Sequence, residues 1–458
     1  MKPNLVLLSL VLGYACCSSA HAALYKPTKE SIEQHQTPSW FAEAKVGVFI
    51  HYTPNWFEMA IPNRFDADQW IDLFKRAGAD YFVFTTKHRD GWCNWPSRIS
   101  KHSAKAKHGP RDLVGPLVES ARKVGMKVGL YYNLMSTYEG VTPAMAGNPQ
   151  LEPSEDYVLD MMHPLMQELV SAYQPDLVWT DGDWISTSDY WHANEIVAWL
   201  YNWAERAGRE LCLTDRWGKD IRICQTKETP EKYGDFWTLE RRIMKDVVTT
   251  HPWESCLTLT EGWKYIEDEQ FRVPLNEVIA VMCDVVSKGG KFLINIGPAP
   301  DGSIIPADRE ALFGIGEWLE INGEAIYGTE PLDCAQENGS KNDRDRAKEL
   351  LLPKGGINNF PNVWKQMLAH NNEQGPVRYT TKGSTIYAIH QGWPGDTLEL
   401  NDLSIKPGSE IRMLGVKEVL SWKSVGNKIS IDLPSDKPCK HAFVLSMEQT
   451  KKNERKDK

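Results

Sequence analysis

Between residue 40 and about residue 330, short runs of β-branched and aromatic residues alternate with longer stretches in which apolar residues return every three or four positions. The short runs are 46–50, 81–86, 127–132, 176–180, 210–214 and 291–296. Their near-continuous apolar character is that of strands buried on both faces, as in a parallel sheet wrapped by helices. The helical stretches are 66–77, 112–124, 155–173, 189–207, 275–287 and 308–321. In the second, Leu113, Leu117, Ala121 and Val124 repeat at helical spacing and Gly125 supplies a stop, while Pro164 should kink the third. No G-x-G-x-x-G follows the first strand, so the alternation favours a (β/α)8-like, TIM-type barrel over a doubly wound sheet.

The texture changes after residue 332. Residues 333–376 are polar and rich in Gly, Asn and Lys, and read as an insertion or linker. Short strands broken by Gly, Pro and Asn then recur at 384–390, 396–401, 410–414, 418–422, 428–432 and 442–446, which predicts an antiparallel β-sandwich over 377–449. Residues 450–458 form a charged tail.

At the other end, Lys2, the apolar run Leu5 to Ala15 and the small-x-small Ala20-His21-Ala22 read as a cleaved signal peptide over 1–22. The run is too short to span a bilayer, so the expectation is a soluble secreted or periplasmic protein whose catalytic barrel occupies 23–332. Cys16 and Cys17 raise a lipoprotein alternative, for which Gly13-Tyr14-Ala15 is a poor lead-in. The seven cysteines beyond the leader are scattered without paired spacing, which fits neither a disulfide scaffold nor a zinc site. A net charge of −9 gives no basic surface for a phosphate backbone, so nucleic acid is not an expected partner. The 18 Trp and 16 Tyr supply core packing first, and also flat amphipathic faces on which sugars can stack.

Chemistry in barrels of this kind sits where the strands end. Read in order, those ends are His51, then Lys87-His88-Arg89-Asp90, then Tyr131, Tyr132 and Asn133, then Asp181-Gly182-Asp183-Trp184, then Asp215-Arg216-Trp217. Apolar residues give way abruptly to polar and aromatic ones at each point, and five such ends in succession describe a lined pocket. A metal-dependent hydrolase would want His51, His88 and an Asp as ligands, but the His-x-His pair usual for barrel metal sites is missing. The competing chemistry is a carboxylate pair acting on a glycosidic bond. Asp181, flanked by Trp179 and Trp184, suits the nucleophile, although on spacing alone it serves equally well as a turn residue.

Eight blocks make the resemblance specific: 44–52 (AKVGVFIHY), 81–97 (YFVFTTKHRDGWCNWPS), 175–184 (PDLVWTDGDW), 214–217 (TDRW), 234–240 (GDFWTLE), 253–265 (WESCLTLTEGWKY), 285–302 (VVSKGGKFLINIGPAPDG) and 317–328 (EWLEINGEAIYG). In this order they resemble the α-L-fucosidases of glycoside hydrolase family 29, from about residue 27 to 330, and the C-terminal strands resemble that family's β-sandwich.

The resemblance implies a retaining double displacement on a fucosylated oligosaccharide or polysaccharide, without metal or cofactor. It assigns Asp181 as nucleophile and Glu240 as acid/base, with Glu240 expected to hold a raised pKa before the first step. His51 and His88 match residues that bind sugar hydroxyls, and Trp179 and Arg216 match pocket residues. Arg89, Trp92 and Tyr132 complete the candidate substrate contacts. Three departures bear on the substrate. Arg89 stands where the family usually has a second His, Tyr52 stands where Trp commonly follows the first His, and the segment Trp56 to Arg64 is too short for the usual Glu-Trp element. A permanently charged Arg89 suggests a sulfate or carboxylate on or near the sugar. A similarly configured sugar, or a catalytically weak carbohydrate-binding protein, are the other readings.

Overall fold

The computed structural model describes residues 24–52, 63–104, 112–140, 155–222, 233–266, 271–332, 351–352, 360–401, 403, 405–426 and 428–449. The expected leader, residues 56–62 of the shortened segment, most of 333–359 and the charged tail lie outside them.

Eight strands, β1 (Val46–Ile50), β2 (Tyr81–Lys87), β3 (Lys127–Asn133), β4 (Leu177–Asp181), β5 (Cys212–Leu213), β6 (Trp237–Glu240), β7 (Trp253–Thr258) and β8 (Gly290–Ile296), form one sheet. Their order is β5-β4-β3-β2-β1-β8-β7-β6, with every neighbouring pair parallel. An isolated parallel bridge from Thr214 to Phe236 joins the two edges, so the sheet curls back on itself as a barrel. Six of these strands follow the apolar runs. The other two, β6 and β7, escape that reading because they carry polar groups inward: Glu254 on β7 is fully buried and accepts hydrogen bonds from Tyr81 Oη (2.5 Å) and Trp179 Nε1 (2.8 Å).

The helices that wrap the sheet begin and end on recognisable signals. Asp66 caps α1 (Ala67–Arg76) by accepting from the Gln69 amide, and Trp70, Ile71, Leu73 and Phe74 bury its inner face. Asp112 Oδ1 accepts the amides of Val114 and Gly115 at the start of α2 (Val114–Lys123). The kink expected at Pro164 takes the form of a π-helical turn, Val158–Met162, leading into α3 (His163–Tyr173). Widening the turn spares the chain the hydrogen bond that proline cannot donate. Helices α4 (Ala193–Ala207), α5 (Leu275–Ser287) and α6 (Pro306–Asn322) complete the described layer before the C-terminal strands. Among the described residues, no helix is long and apolar enough to cross a membrane.

The stretch read as a polar linker contains a helix, α7 (Phe360–Glu373), and a short strand, Leu351–Leu352, that pairs antiparallel with Ile243–Met244. Val363, Trp364 and Met367 of α7 are buried, and Trp364 Nε1 donates to the Thr258 carbonyl at the end of β7. The helix packs on α5 and covers the barrel beside β7. Its apolar positions at 363, 364 and 367 are interspersed with Lys365, Gln366, His370, Asn371 and Asn372, some of them buried, so composition alone suggests a linker.

A six-stranded and a three-stranded antiparallel sheet follow, and enclose a core of Leu398, Leu400, Ile411, Ile429, Ile431, Phe443 and Leu445. This sandwich is fastened to the barrel: Trp318 Nε1 donates to the Ala442 carbonyl at 2.8 Å. Asp284 on α5 is wholly buried and pairs with both Lys288 and Arg378, each at 2.6 Å.

Candidate active site

Asp181 is the last residue of β4, and the chain turns immediately through Gly182 at φ 78°. A side chain at Gly182 would be strained by that φ and would collide with Asn133 Oδ1, so glycine permits the turn that leaves Asp181 at the barrel mouth. Asp181 Oδ1 accepts from Arg216 Nη1 at 2.6 Å, and Oδ2 accepts from Tyr131 Oη at 2.7 Å and Asn133 Nδ2 at 3.4 Å. Arg216 is held from behind: its Nε donates to Thr238 Oγ1, which itself donates to Asp215 Oδ1, both at 2.7 Å. Its guanidinium carbon lies 4.2 Å from the centre of the Trp179 ring. The same Nη1 reaches Glu240 Oε2 at 3.3 Å, and Arg222 Nη2 reaches that oxygen at 3.1 Å. The two carboxylates expected from the sequence are thus brought together on one guanidinium.

The opposite wall carries His51, His88 and Arg89, and together with Phe49, Trp184 and the 262–266 loop these groups line a pocket of about 480 Å³. Asn295 donates its amide to the Trp263 carbonyl, so its oxygen faces His51 Nδ1 at 2.7 Å. The His51 proton then sits on Nδ1 and leaves Nε2 as an acceptor. Burial pushes His51 down to about 3 and His88 well below the ordinary histidine range, so both are neutral at physiological pH. His88 stacks on Tyr131 at 5.7 Å, and its buried Nδ1 has no hydrogen-bond partner among the described residues.

Two candidates fall outside this lining. Tyr132 points the other way from Tyr131, as strand alternation requires, and its hydroxyl donates to the Met162 carbonyl beneath the helices. Trp92 donates to Asn94 Oδ1 and packs edge-on to His102. Tyr131 and Asn133, noted only as strand ends in the sequence, line the pocket, as do Phe49, Trp263 and Lys264, with Arg222 and Asn295 behind them. The tyrosine could have been chosen by parity: on β3, Leu130 and Tyr132 join the core outside the sheet, whereas Tyr131 shares the barrel interior with Phe49 and Trp179.

Electrostatics overturn one expectation. Burial does push Glu240 up, but Arg216 and Arg222 together pull it further down, to about 2. Desolvation and the neighbouring Asp181 charge favour a raised value, and the two guanidiniums outweigh them. Two buried carboxyls near the site do have raised values: Asp183, pushed up to about 6 by burial against the pull of Arg222 and Arg216, and Glu254, pushed up to about 7 by burial. Asp183 is fully enclosed, its carboxyl oxygens accept no hydrogen bond among the described residues, and Arg222 Nη1 approaches at 3.6 Å. Arg216 stays charged because Asp181 and Glu240 more than offset its desolvation. Neither Glu254, which supports Trp179 from beneath, nor the exposed Glu261 lines the pocket.

Comparison with known proteins agrees with this geometry in both halves of the chain. The family model for α-L-fucosidase matches residues 12–59 and 54–324, and the model for the α-L-fucosidase C-terminal domain matches 370–448. Human tissue α-L-fucosidase is 30% identical over 97% of this chain and 97% of its own length. An α-L-fucosidase from Branchiostoma floridae is 29% identical over 96% of this chain and 99% of its own. The crystal structure of Thermotoga maritima α-fucosidase in complex with fucose superposes with a TM-score of 0.69 at 26% identity, covering 92% of this chain and 100% of that one. The barrel, the sandwich behind it and relatives matched from end to end lead to one conclusion: the chain belongs to the α-L-fucosidases, glycoside hydrolase family 29.

Proposed function

We propose that the protein is an exported, retaining exo-α-L-fucosidase that removes terminal α-L-fucosyl groups from glycans or polysaccharides. The observation that carries this reading is the single Arg216 nitrogen shared by Asp181 and Glu240 at 2.6 and 3.3 Å. Two carboxylates that reach one atom are close together, which favours the roughly 5 Å separation of a retaining pair over the roughly 6.5–9.5 Å that leaves room for water in an inverting one. Asp181 attacks the anomeric carbon while Glu240 protonates the departing oxygen; Glu240 then takes a proton from the water that opens the fucosyl ester. The arginines hold Glu240 ionised in the empty pocket, the form needed for the second step. The first step requires it to gain a proton as substrate displaces water and part of the guanidinium contact.

The tryptophans and the neutral His51 suit a sugar ring, and a pocket closed at its base by the barrel suits a chain end rather than a chain interior. Export rests on the leader-like first 22 residues. Hydrolysis of nitrophenyl α-L-fucoside followed by NMR should show α-L-fucose as the first-formed anomer, and chelator should leave the rate unchanged. First-formed β-fucose would overturn the retaining assignment, and a loss with chelator that zinc restores would point to a metallohydrolase.

A further inference from the structure

The groups around the barrel mouth divide by charge. Asp181, Arg216 and Glu240 follow β4, β5 and β6, and their charges are engaged with one another. Across the pocket, His51 follows β1, while His88 and Arg89 follow β2. The loop after β7 folds over this side, with Trp263 packed 4.9 Å from His51, and delivers Lys264 to the same wall. Arg89 and Lys264 come from different loops yet lie close enough to repel each other, and each also disfavours a proton on His88. Neither cation makes a hydrogen bond or ion pair with a described residue. Asp90 is the carboxylate that acts on Lys264, and one of its oxygens is already committed to the Trp92 amide.

Two like charges at one pocket wall suit an anion on the substrate in addition to the Asp90 carboxylate. The position of that anion follows from the reaction. The anomeric carbon must face Asp181 and the leaving group must lie toward Glu240, so the wall of Arg89 and Lys264 faces the far edge of the fucosyl ring. We propose that Arg89 and Lys264 form an anion subsite for a sulfate ester carried by the fucosyl ring itself, which makes sulfated α-L-fucosyl glycans the substrate class. The proposal rests on the fucosidase reading above and adds the ring substituent to it.

The test compares kcat/KM for nitrophenyl α-L-fucoside, its 2-, 3- and 4-O-sulfates, and an unsulfated fucoside whose phenol carries a carboxylate. The full-length protein is used as wild type and as Arg89→Met, Arg89→Lys and Lys264→Met. At least one sulfate isomer should exceed the unsulfated compound by roughly tenfold or more, the value of a charge-assisted hydrogen bond or two. Each Met variant should lower that ratio roughly tenfold through KM, Arg89→Lys should lower it less, and added salt should lower it for the wild type. A ratio of one or below for every sulfate isomer would overturn the proposal, as would Met variants that leave the ratio unchanged. Preference for the carboxylated phenol alone would place the anion on the leaving group and overturn it too. Failure to turn over any of the fucosides would remove the fucosidase reading, and this proposal with it.

Discussion

Two buried charge clusters in this molecule use the same residue types to opposite ends. At the junction of barrel and sandwich, Asp284 is flanked by Lys288 and Arg378 at 2.6 Å, and Arg378 spends its remaining donors on the carbonyls of Gly375, Val377 and Asn371 and on Asn371 Oδ1. At the barrel mouth, Asp181 and Glu240 share Arg216, Glu240 and Asp183 share Arg222, and among the described residues Arg216 Nη2 and both Asp183 carboxyl oxygens are left without a hydrogen bond. The first cluster is saturated and joins two domains. The second has bonding capacity in reserve, which an incoming sugar and a moving proton can use.

The largest effect should come from removing the nucleophile. Asp181→Gly should lose activity by about 10⁴-fold or more on an activated fucoside while melting within a few degrees of wild type. Azide should rescue it by entering the vacated face to give the inverted β-azide, and ordinary activity in this variant would end the assignment. Glu240→Ala should be nearly as damaging on a natural glycan but far milder on a substrate with a good phenolate leaving group, with azide giving the retained product. Should Asp183→Ala or Glu254→Ala show that dependence on leaving group instead, Glu240 is not the acid.

The joint cluster should answer through stability. Asp284→Asn leaves two buried cations short of a counter-charge, and a loss of about 3–5 kcal/mol in denaturant unfolding is expected, with kcat/KM little changed at temperatures where the variant stays folded. A variant as stable as wild type would show that the joint does not depend on this charge.

The smallest effect on rate sharpens the contrast most. Asp183 has its folded value raised from 3.8 to about 6, so the folded state binds more protons than the unfolded chain between those values. Stability therefore falls as pH rises through that window, and the cost is complete above about pH 6. Asp183→Asn escapes it and should be more stable at pH 8 by up to about 3 kcal/mol, with the advantage vanishing toward pH 4. It also frees Arg222 to act on Glu240 alone, so the alkaline limb of kcat/KM should move down by about one pH unit or less. An unmoved limb would mean that Arg222 does not transmit the Asp183 charge.

Much of this was legible before any coordinates, and the gaps have physical causes. Strands with apolar residues on both faces announce themselves, which is why β1 to β4 and β8 stand out. Barrel interiors, however, tolerate paired polar groups, so Glu254 on β7 and Thr238 on β6 disguise their strands. Adjacent tyrosines on β3 leave the choice between 131 and 132 to strand parity, and Tyr132, the expected substrate contact, is the one facing the helices. Arg222 and Lys264 sit on loops without periodicity. No local pattern ties either to the carboxylate or the histidine it meets in space, and the low value of Glu240 follows from Arg216 with Arg222 added to it.

The shared guanidinium has a further meaning for the dynamics of turnover. Under the proposed double displacement, the substrate complex enters the first step with Glu240 protonated and the charge on Asp181, and reaches the intermediate with Asp181 esterified and Glu240 anionic. The negative charge has crossed from one carboxyl group to the other, while the total seen by Arg216 is the same. An arginine stacked on Trp179 and tethered through Thr238 need only redistribute its pull between two partners already within 3.3 Å. Both half-reactions then run in nearly the same electrostatic frame, with little reorganisation to pay for in either direction.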